Sequence, residues 1–563
     1  MFRQFTLVGF LLIISLPVFS QDKLMSILAE EMKREMQEFS SIERAPYYME
    51  YRVSDFETYN INTSFGSLIS SDSYTNRVFT GDLRIGDYEL DNTHEVFGFS
   101  GGYQSYSSSS VPLPVENDPM AIKQMIWLTM DQGYKATLEQ YKMVLNAEEV
   151  KENEEKIDFT KEEISVYSEA PLIAESIDTK EWEGVLKRIS SLFKDNEFIM
   201  DGDANLQVSL ERRYFISSEG TRIIQNFPIV NLSIVASILS DDGNILPLYI
   251  SYDARTIKNL PEETQLIDDA KELIRKLEQL RNSQVAEPYS GPAIFSPRVS
   301  GVFFHEIFGH RVEGHRLKDE SDGQTFKNKV NSQVLPKFMS VISDPTRRKF
   351  GDAELTGYYE YDDQGVKAQK VTLVENGILE NFLMSRTPLL TFEKSNGHGR
   401  ATAGYIPVSR QSNLIVQSDK VKSEDALRKM LMKECKKQNK EFGYYFKDVT
   451  GGFTTTDRYS PNAFNIMPTE VYKIYVDGRP DELVRGVDMI GTPLTMFSEI
   501  KAAGDVVEVF SGHCGAESGF IPVTAVAPSL FVKKIETQKK METHIKQPLL
   551  VSPEFEFKES EKQ

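Results

Sequence analysis

The chain has 563 residues, 40 % hydrophobic and 26 % charged, an ordinary globular composition with length for about three to four domains. That is enough to bury a sizeable core without a disulfide framework or a structural metal. The formal net charge of −20 argues against a nucleic-acid partner, because binding phosphate requires a basic surface.

In chain order, Met1–Ser20 reads as a signal peptide: Arg3 supplies the positive start, Phe5–Phe19 is largely apolar, and Val18 and Ser20 are small residues before a cut. The apolar run is about 15 residues, short of the ~20 that span a bilayer. Cleavage after Ser20 would leave a periplasmic or secreted protein with no stable membrane anchor, and Gln21 as its first residue. Residues 21–288 read as a mixed α+β domain. Lys23–Phe39 has helical spacing, and Tyr47–Val53, Asn60–Ile69 and Arg77–Leu90 alternate as short strands, with Gly81 and Gly86 as breaks. Gly101–Ser110 reads as a loop, Ala121–Glu148 and Thr179–Phe193 as helices, and Glu149–Glu163 as a solvated charged connector. Leu206–Ile250 is strand-rich, with turns at 218–220 and 241–243. Glu262–Leu280 is an amphipathic helix. Pro288, Gly291, Pro292 and Pro297 then break the pattern and mark a boundary near residue 288.

Residues 289–536 read as a strand-rich second domain that opens with a helix, followed by a charged tail over 537–563. Val371–Leu383, Leu414–Val416 and Glu470–Val476 are expected strands, with Asn376-Gly377 and Asp477-Gly478 as turns. The overall expectation is an α+β fold.

Three of the seven histidines fall between His305 and His315, in a segment made apolar by Val302, Phe303, Phe304, Ile307 and Phe308. His305, Glu306 and His310 are close to the zinc-peptidase arrangement, in which two histidines four apart on a helix carry a glutamate after the first. Here the spacing is five, about 500° of turn, which splays the rings about 140° apart on a regular helix. Two imidazoles on one ion therefore require the helix to be locally widened or broken between them; a π-turn at Gly309 would do it. The competing reading is a buried helix whose His and Glu are satisfied by hydrogen bonds. A catalytic zinc needs a third protein ligand and an open position for water. His315 and Cys514 are level on chemistry, with His398 and His513 as further candidates. His94 reads as a surface residue and His544 as solvated in the tail. Cys435 and Cys514 would form one disulfide in an exported protein, a reading that excludes Cys514 as a ligand.

The segment His305–His310 followed by Glu313-Gly314 resembles the TldD/PmbA metallopeptidase family. So do Tyr361–Gly365, Gly399-Arg400 through Ser412-Asn413, Leu483–Gly486 with Gly491, and Gly512–Gly515 with Pro522-Val523. The resemblance covers roughly residues 290–535 in its motifs. It implies His305, His310 and Cys514 as ligands of one Zn²⁺ and Glu306 as general base in peptide hydrolysis. It also implies a homodimer or a heterodimer with a TldE/PmbA-like paralogue. Short or unfolded peptides would be bound as an extended strand in an enclosed channel. Gly451-Gly452 and Gly399–Pro407 would line that channel or simply form turns. A thiolate among the ligands would make the zinc a somewhat poorer Lewis acid. The alternative within the family is a non-catalytic partner subunit that keeps zinc for structure, its site closed by four protein ligands. Export and the residues His315 and His513 depart from the family pattern.

Overall fold

The computed structural model describes residues 22–540, except 95–108, 148–156, 173–176, 241–242, 319–321, 323, 390 and 457–463. The expected signal peptide, most of the loop at 101–110, much of the charged connector and nearly all of the tail lie outside the described residues.

The first half is a seven-stranded sheet covered by helices. Its strands are β1 (Pro46–Ser64), β2 (Ser67–Ile85), β3 (Ser109–Leu113), β4 (Val166–Ser168), β5 (Ile199–Ser217), β6 (Arg222–Leu239) and β7 (Ile245–Ala254), in the order β3-β2-β1-β5-β6-β4 with β7 also on β6. All pairs are antiparallel except β4 with β6. The three short strands expected over 47–90 are two long ones. The hairpin turn falls at Phe65-Gly66, inside the expected strand Asn60–Ile69, and both residues have positive φ (44° and 75°). A phenylalanine in a left-handed turn gives no sequence signal. Gly81 is not a break but a mid-strand residue of β2, where a Cβ would lie 2.2 Å from the sulfur of Met130 on the helix above.

Four helices pack on this sheet: α1 (Lys23–Phe39), α2 (Pro119–Asn146), α3 (Thr179–Ser191) and α4 (Glu263–Asn282). Strand alternation decides where they sit. Met49, Tyr51, Val53 and Ile61 of β1, Leu206, Val208, Tyr214 and Ile216 of β5, and Ile224, Leu232 and Ile234 of β6 have one parity along each strand. All four helices therefore cover a single face. The other face carries Arg52, Arg213, Phe215 and Gln225, which meet the second half of the chain. Gln225 Nε2 donates to the Tyr361 carbonyl at 3.0 Å, Arg213 pairs with Asp363, and Phe215 packs on Gly365.

The second half is built on a thirteen-stranded sheet whose longest member, Gly519–Lys539, pairs with four others. That strand runs through residues 537–539, past the expected start of the tail. Helices α5 (Pro297–Ile307) and α6 (Glu424–Lys437) take opposite faces. Ala293 and Phe295 of the strand Tyr289–Phe295 face the core under α5, and Ile294 faces Leu427, Leu431 and Cys435 of α6. No helix among the described residues is long and apolar enough to cross a membrane.

Candidate metal centre

Ser296 caps α5, its hydroxyl accepting from the Val299 N–H at 3.2 Å, and Pro297 occupies the first turn, where a missing N–H costs nothing. Phe303, Phe304 and Ile307 are fully buried and anchor the helix on the sheet. The helix then stops. Phe308 has φ −105° and ψ −52°, and Gly309–Val312 and Gly314–Leu317 follow as 3₁₀ turns. The expected interruption between the two histidines is present, as a break into tighter 3₁₀ turns and not as a wider π-turn. His305 and His310 thus stand on different helical segments, and the angular objection from one continuous helix no longer applies. Their ring centroids are 5.0 Å apart.

The break has its own hydrogen-bond partners. A helix end leaves carbonyls unpaired. Here Gln411 Nε2 donates to the His305 carbonyl at 3.3 Å, and Arg311 Nη1 donates to those of Glu306 (2.9 Å) and Ile307 (3.2 Å). The Gln411 amide fills the space a Cβ would need at Gly309, where the amide oxygen would be 1.8 Å away. Gly309 is therefore a site of close approach.

Cys514 comes from the strand Ile500–Ala516, in hairpin with Gly519–Lys539. Alternation turns Cys514 inward, 3 % exposed, and leaves His513 on the exposed side. Its sulfur lies 3.4 Å from His310 Nε2. Donor atoms of His305, His310 and Cys514 all lie within 4.8 Å of one another, and the described residues hold no other such group. Two imidazoles and a thiolate are a donor set that suits zinc. Glu306 is buried beside them, its Oε2 3.9 Å from His310 Nε2. It packs against Gly452, where a Cβ would come within 2.8 Å of the Glu306 Cγ. Gly452 lies within the strand Phe442–Thr454, not in a turn.

Around the donors is a buried charged network. His310 Nδ1 faces Glu313 Oε2 at 3.1 Å, which leaves Nε2 turned toward the sulfur. Arg316 Nε donates to Glu313 Oε2 at 2.9 Å, and Arg410 Nε lies 3.5 Å from Glu313 Oε1. Burial alone would raise the Glu313 carboxyl, but His310 and Arg316 outweigh it and hold it at about 2. Burial likewise opposes ionisation of Cys514, yet His310, His305 and Arg410 together keep the thiol well below its usual range. The same thiolate raises both histidines against the effect of their burial.

The remaining candidates go elsewhere. His315 Nε2 pairs with Glu517, which also accepts from Arg316 Nη2 at 3.0 Å. His398 is fully buried between Ser343 Oγ (3.0 Å) and Asn396. His94 is not a free surface residue, because its Nδ1 lies 2.9 Å from Asp158 Oδ1. Both cysteines are free, so the disulfide reading fails, and Cys435 sits on the opposite face of the sheet from α5. Sequence reasoning missed Glu313 as partner of His310, as well as Arg410, Gln411 and Arg311. Only Glu313, three residues past His310, carried a local signal.

Residues 288–539 match the PmbA/TldA metallopeptidase C-terminal domain. A metalloprotease of Archaeoglobus fulgidus is 27 % identical over 266 residues, 47 % of this chain and 57 % of that protein. The chain thus spans a little over half of that relative. A zinc metalloprotease TldD homolog of Saccharolobus solfataricus is 24 % identical over 327 residues, 57 % of this chain and 68 % of its own length. Among solved structures, TldE from Thermococcus kodakarensis superposes with a TM-score of 0.60 at 14 % identity, over 91 % of this chain and 100 % of that one, a likeness of fold. Residues 288–539 thus resemble the C-terminal domain of the PmbA/TldA metallopeptidases, and the fold over 91 % of the chain is like that of TldE.

Proposed function

We propose that the protein is a zinc-dependent peptidase in which His305, His310 and Cys514 hold the metal and Glu306 is the general base. The observation that carries this reading is the meeting of three donor atoms within 4.8 Å beside a buried carboxylate, with His315 engaged by Glu517. Three protein ligands leave a fourth position open, as a catalytic site requires, whereas a structural site is closed by four. This favours an active subunit over a non-catalytic partner. Bound zinc would polarise the scissile carbonyl and bring the pKa of water down toward ~7. Glu306 accepts the proton of the attacking water on its carboxylate and delivers it to the leaving amine. Gly452 gives it room, and Glu313 fixes the His310 ring so that Nε2 faces inward.

Peptide substrates fit the strand edges around α5. Among the described residues, Val507–Ala516 is paired only with the strand Gly519–Lys539, and Val449–Thr454 only with Phe464–Pro468. An extended peptide laid along either edge would be held by main-chain hydrogen bonds, largely independent of its sequence. The protein acts outside the cytoplasm after cleavage behind Ser20, as a homodimer or with a TldE-like partner. N-terminal sequencing of exported protein checks the first point and sedimentation the second. For the chemistry, Glu306→Gln should abolish peptide cleavage with zinc content unchanged. Full cleavage by that variant would remove Glu306 from the mechanism.

A further inference from the structure

The hydrogen bonds of Arg410 are concentrated on the sulfur-bearing hairpin. Its side chain is fully buried, in the stretch between Val408-Ser409 and the strand Asn413–Ser418. Nη1 donates to Ser518 Oγ at 2.7 Å and to the Gly519 carbonyl at 3.2 Å. Nη2 donates to the Cys514 carbonyl at 2.7 Å and to the Cys514 sulfur at 3.2 Å. Its Nε side lies toward Glu313, the carboxylate that orients His310. One rigid planar cation therefore spans the hairpin that delivers the thiolate and the group that aims an imidazole. Scaffolding alone would be met by the donations to Ser518, Gly519 and the Cys514 carbonyl. The N–H aimed at the sulfur does something further: it draws electron density from the thiolate.

Resting on the zinc-site reading above, we propose that Arg410 is a positioning residue that weakens the electron donation of Cys514 to the metal, so that a thiolate-ligated ion stays electrophilic enough to act on a peptide carbonyl. A thiolate donates more charge than an imidazole and dulls a Lewis acid. Hydrogen bonds to a ligating cysteine sulfur are a known means of tuning metal electronics. Arginine suits the position because its fork can serve the sulfur, the backbone and Glu313 at once without losing its charge.

The test is cobalt substitution of the full-length protein, read by its sulfur-to-cobalt charge-transfer band. The variants are Arg410→Met, which removes every donor, and Arg410→Lys, which keeps the charge but loses the fork. Ser518→Ala serves as a control for the hairpin. The expected result is a shift of the band to longer wavelength in Arg410→Met, a smaller shift the same way in Arg410→Lys, and none in Ser518→Ala. With zinc, kcat for peptide cleavage should fall about 10- to 100-fold in Arg410→Met with KM little changed. A band that stays in place in a cobalt-loaded Arg410 variant would show that the guanidinium only holds the hairpin. If neither Arg410 variant retains cobalt, the residue is a requirement for assembling the site and the tuning role is also refuted. Wild-type protein that shows no sulfur-to-cobalt band would instead overturn the metal-site reading itself.

Discussion

At the scale of single residues, the site depends on Gly309 and Gln411 as much as on the donors. A methyl group at 309 has to displace an amide that is fully buried and bonded to the His305 carbonyl. Overpacking of this kind costs about 1–3 kcal/mol. Gly309→Ala should lower Tm and release zinc, and adding Gln411→Ala to the same chain should restore much of both, as scanning calorimetry and metal analysis would show. His398 gives a pH prediction. Burial first, helped by Arg400, holds its imidazole at about 3, whereas an unfolded histidine titrates near 6.5. Between these values the unfolded chain takes up a proton that the native one refuses. Stability therefore falls as pH drops from about 6.5 toward 3, by up to about 1.4 kcal/mol per unit. His398→Gln should flatten that acid limb of Tm against pH; an unchanged limb would remove His398 as its source. The positions of His305, Glu306 and His310 were legible from their clustering in an apolar segment. Gln411 and Arg410 were not, because a residue about a hundred positions away that wedges a helix end or donates to a sulfur leaves no local pattern.

At the scale of elements, the strand Phe442–Thr454 and helix α5 share a glycine contact that sets where Glu306, the proposed base, lies. Gly452→Ala would press on the Glu306 Cγ from 2.8 Å and on the Asn465 carbonyl oxygen from 3.0 Å, and none of the three nearest atoms belongs to His305, His310 or Cys514. It should lower kcat by about one to two orders of magnitude at full zinc occupancy, since small displacements of a reacting group are costly. Activity equal to wild type would place the working position of Glu306 elsewhere. The helices were legible because their apolar periodicity is long and their caps are plain: Asp22, Asp118 and Asp178 accept from the first turns of α1, α2 and α3. Strand lengths were not. Alternation shows that a stretch is extended, but the turn between β1 and β2 uses Phe65, and Gly81 signals the approach of α2. Glycine marks both turns and close contacts, and sequence alone does not separate them. The disulfide expectation failed for a related reason: Cys435 belongs to α6, which packs on the far face of the sheet, and spacing could not reveal that.

At the scale of the whole molecule, the polar face of the first sheet is fastened to the second half by buried arginines. Arg386, 2 % exposed, donates to both Glu219 carboxylate oxygens at 2.9 Å, to Tyr48 Oη at 3.1 Å and to the Thr160 carbonyl, with the Phe159 ring 4.0 Å away. Removing one partner of such a pair costs about 3–5 kcal/mol. Arg386→Met should split thermal unfolding into two transitions, while a single transition at an unchanged Tm would show that other contacts hold the halves together. The placement of Cys514 has a consequence in time. The sulfur follows His310 by 204 residues, and the return strand Gly519–Lys539 that holds it in register comes later still. On the ribosome, the imidazoles and their glutamate emerge long before the third donor. Closure of the three-donor site thus lags the motif by those 204 residues of synthesis, and a chain released in that interval carries the motif with nothing to close it.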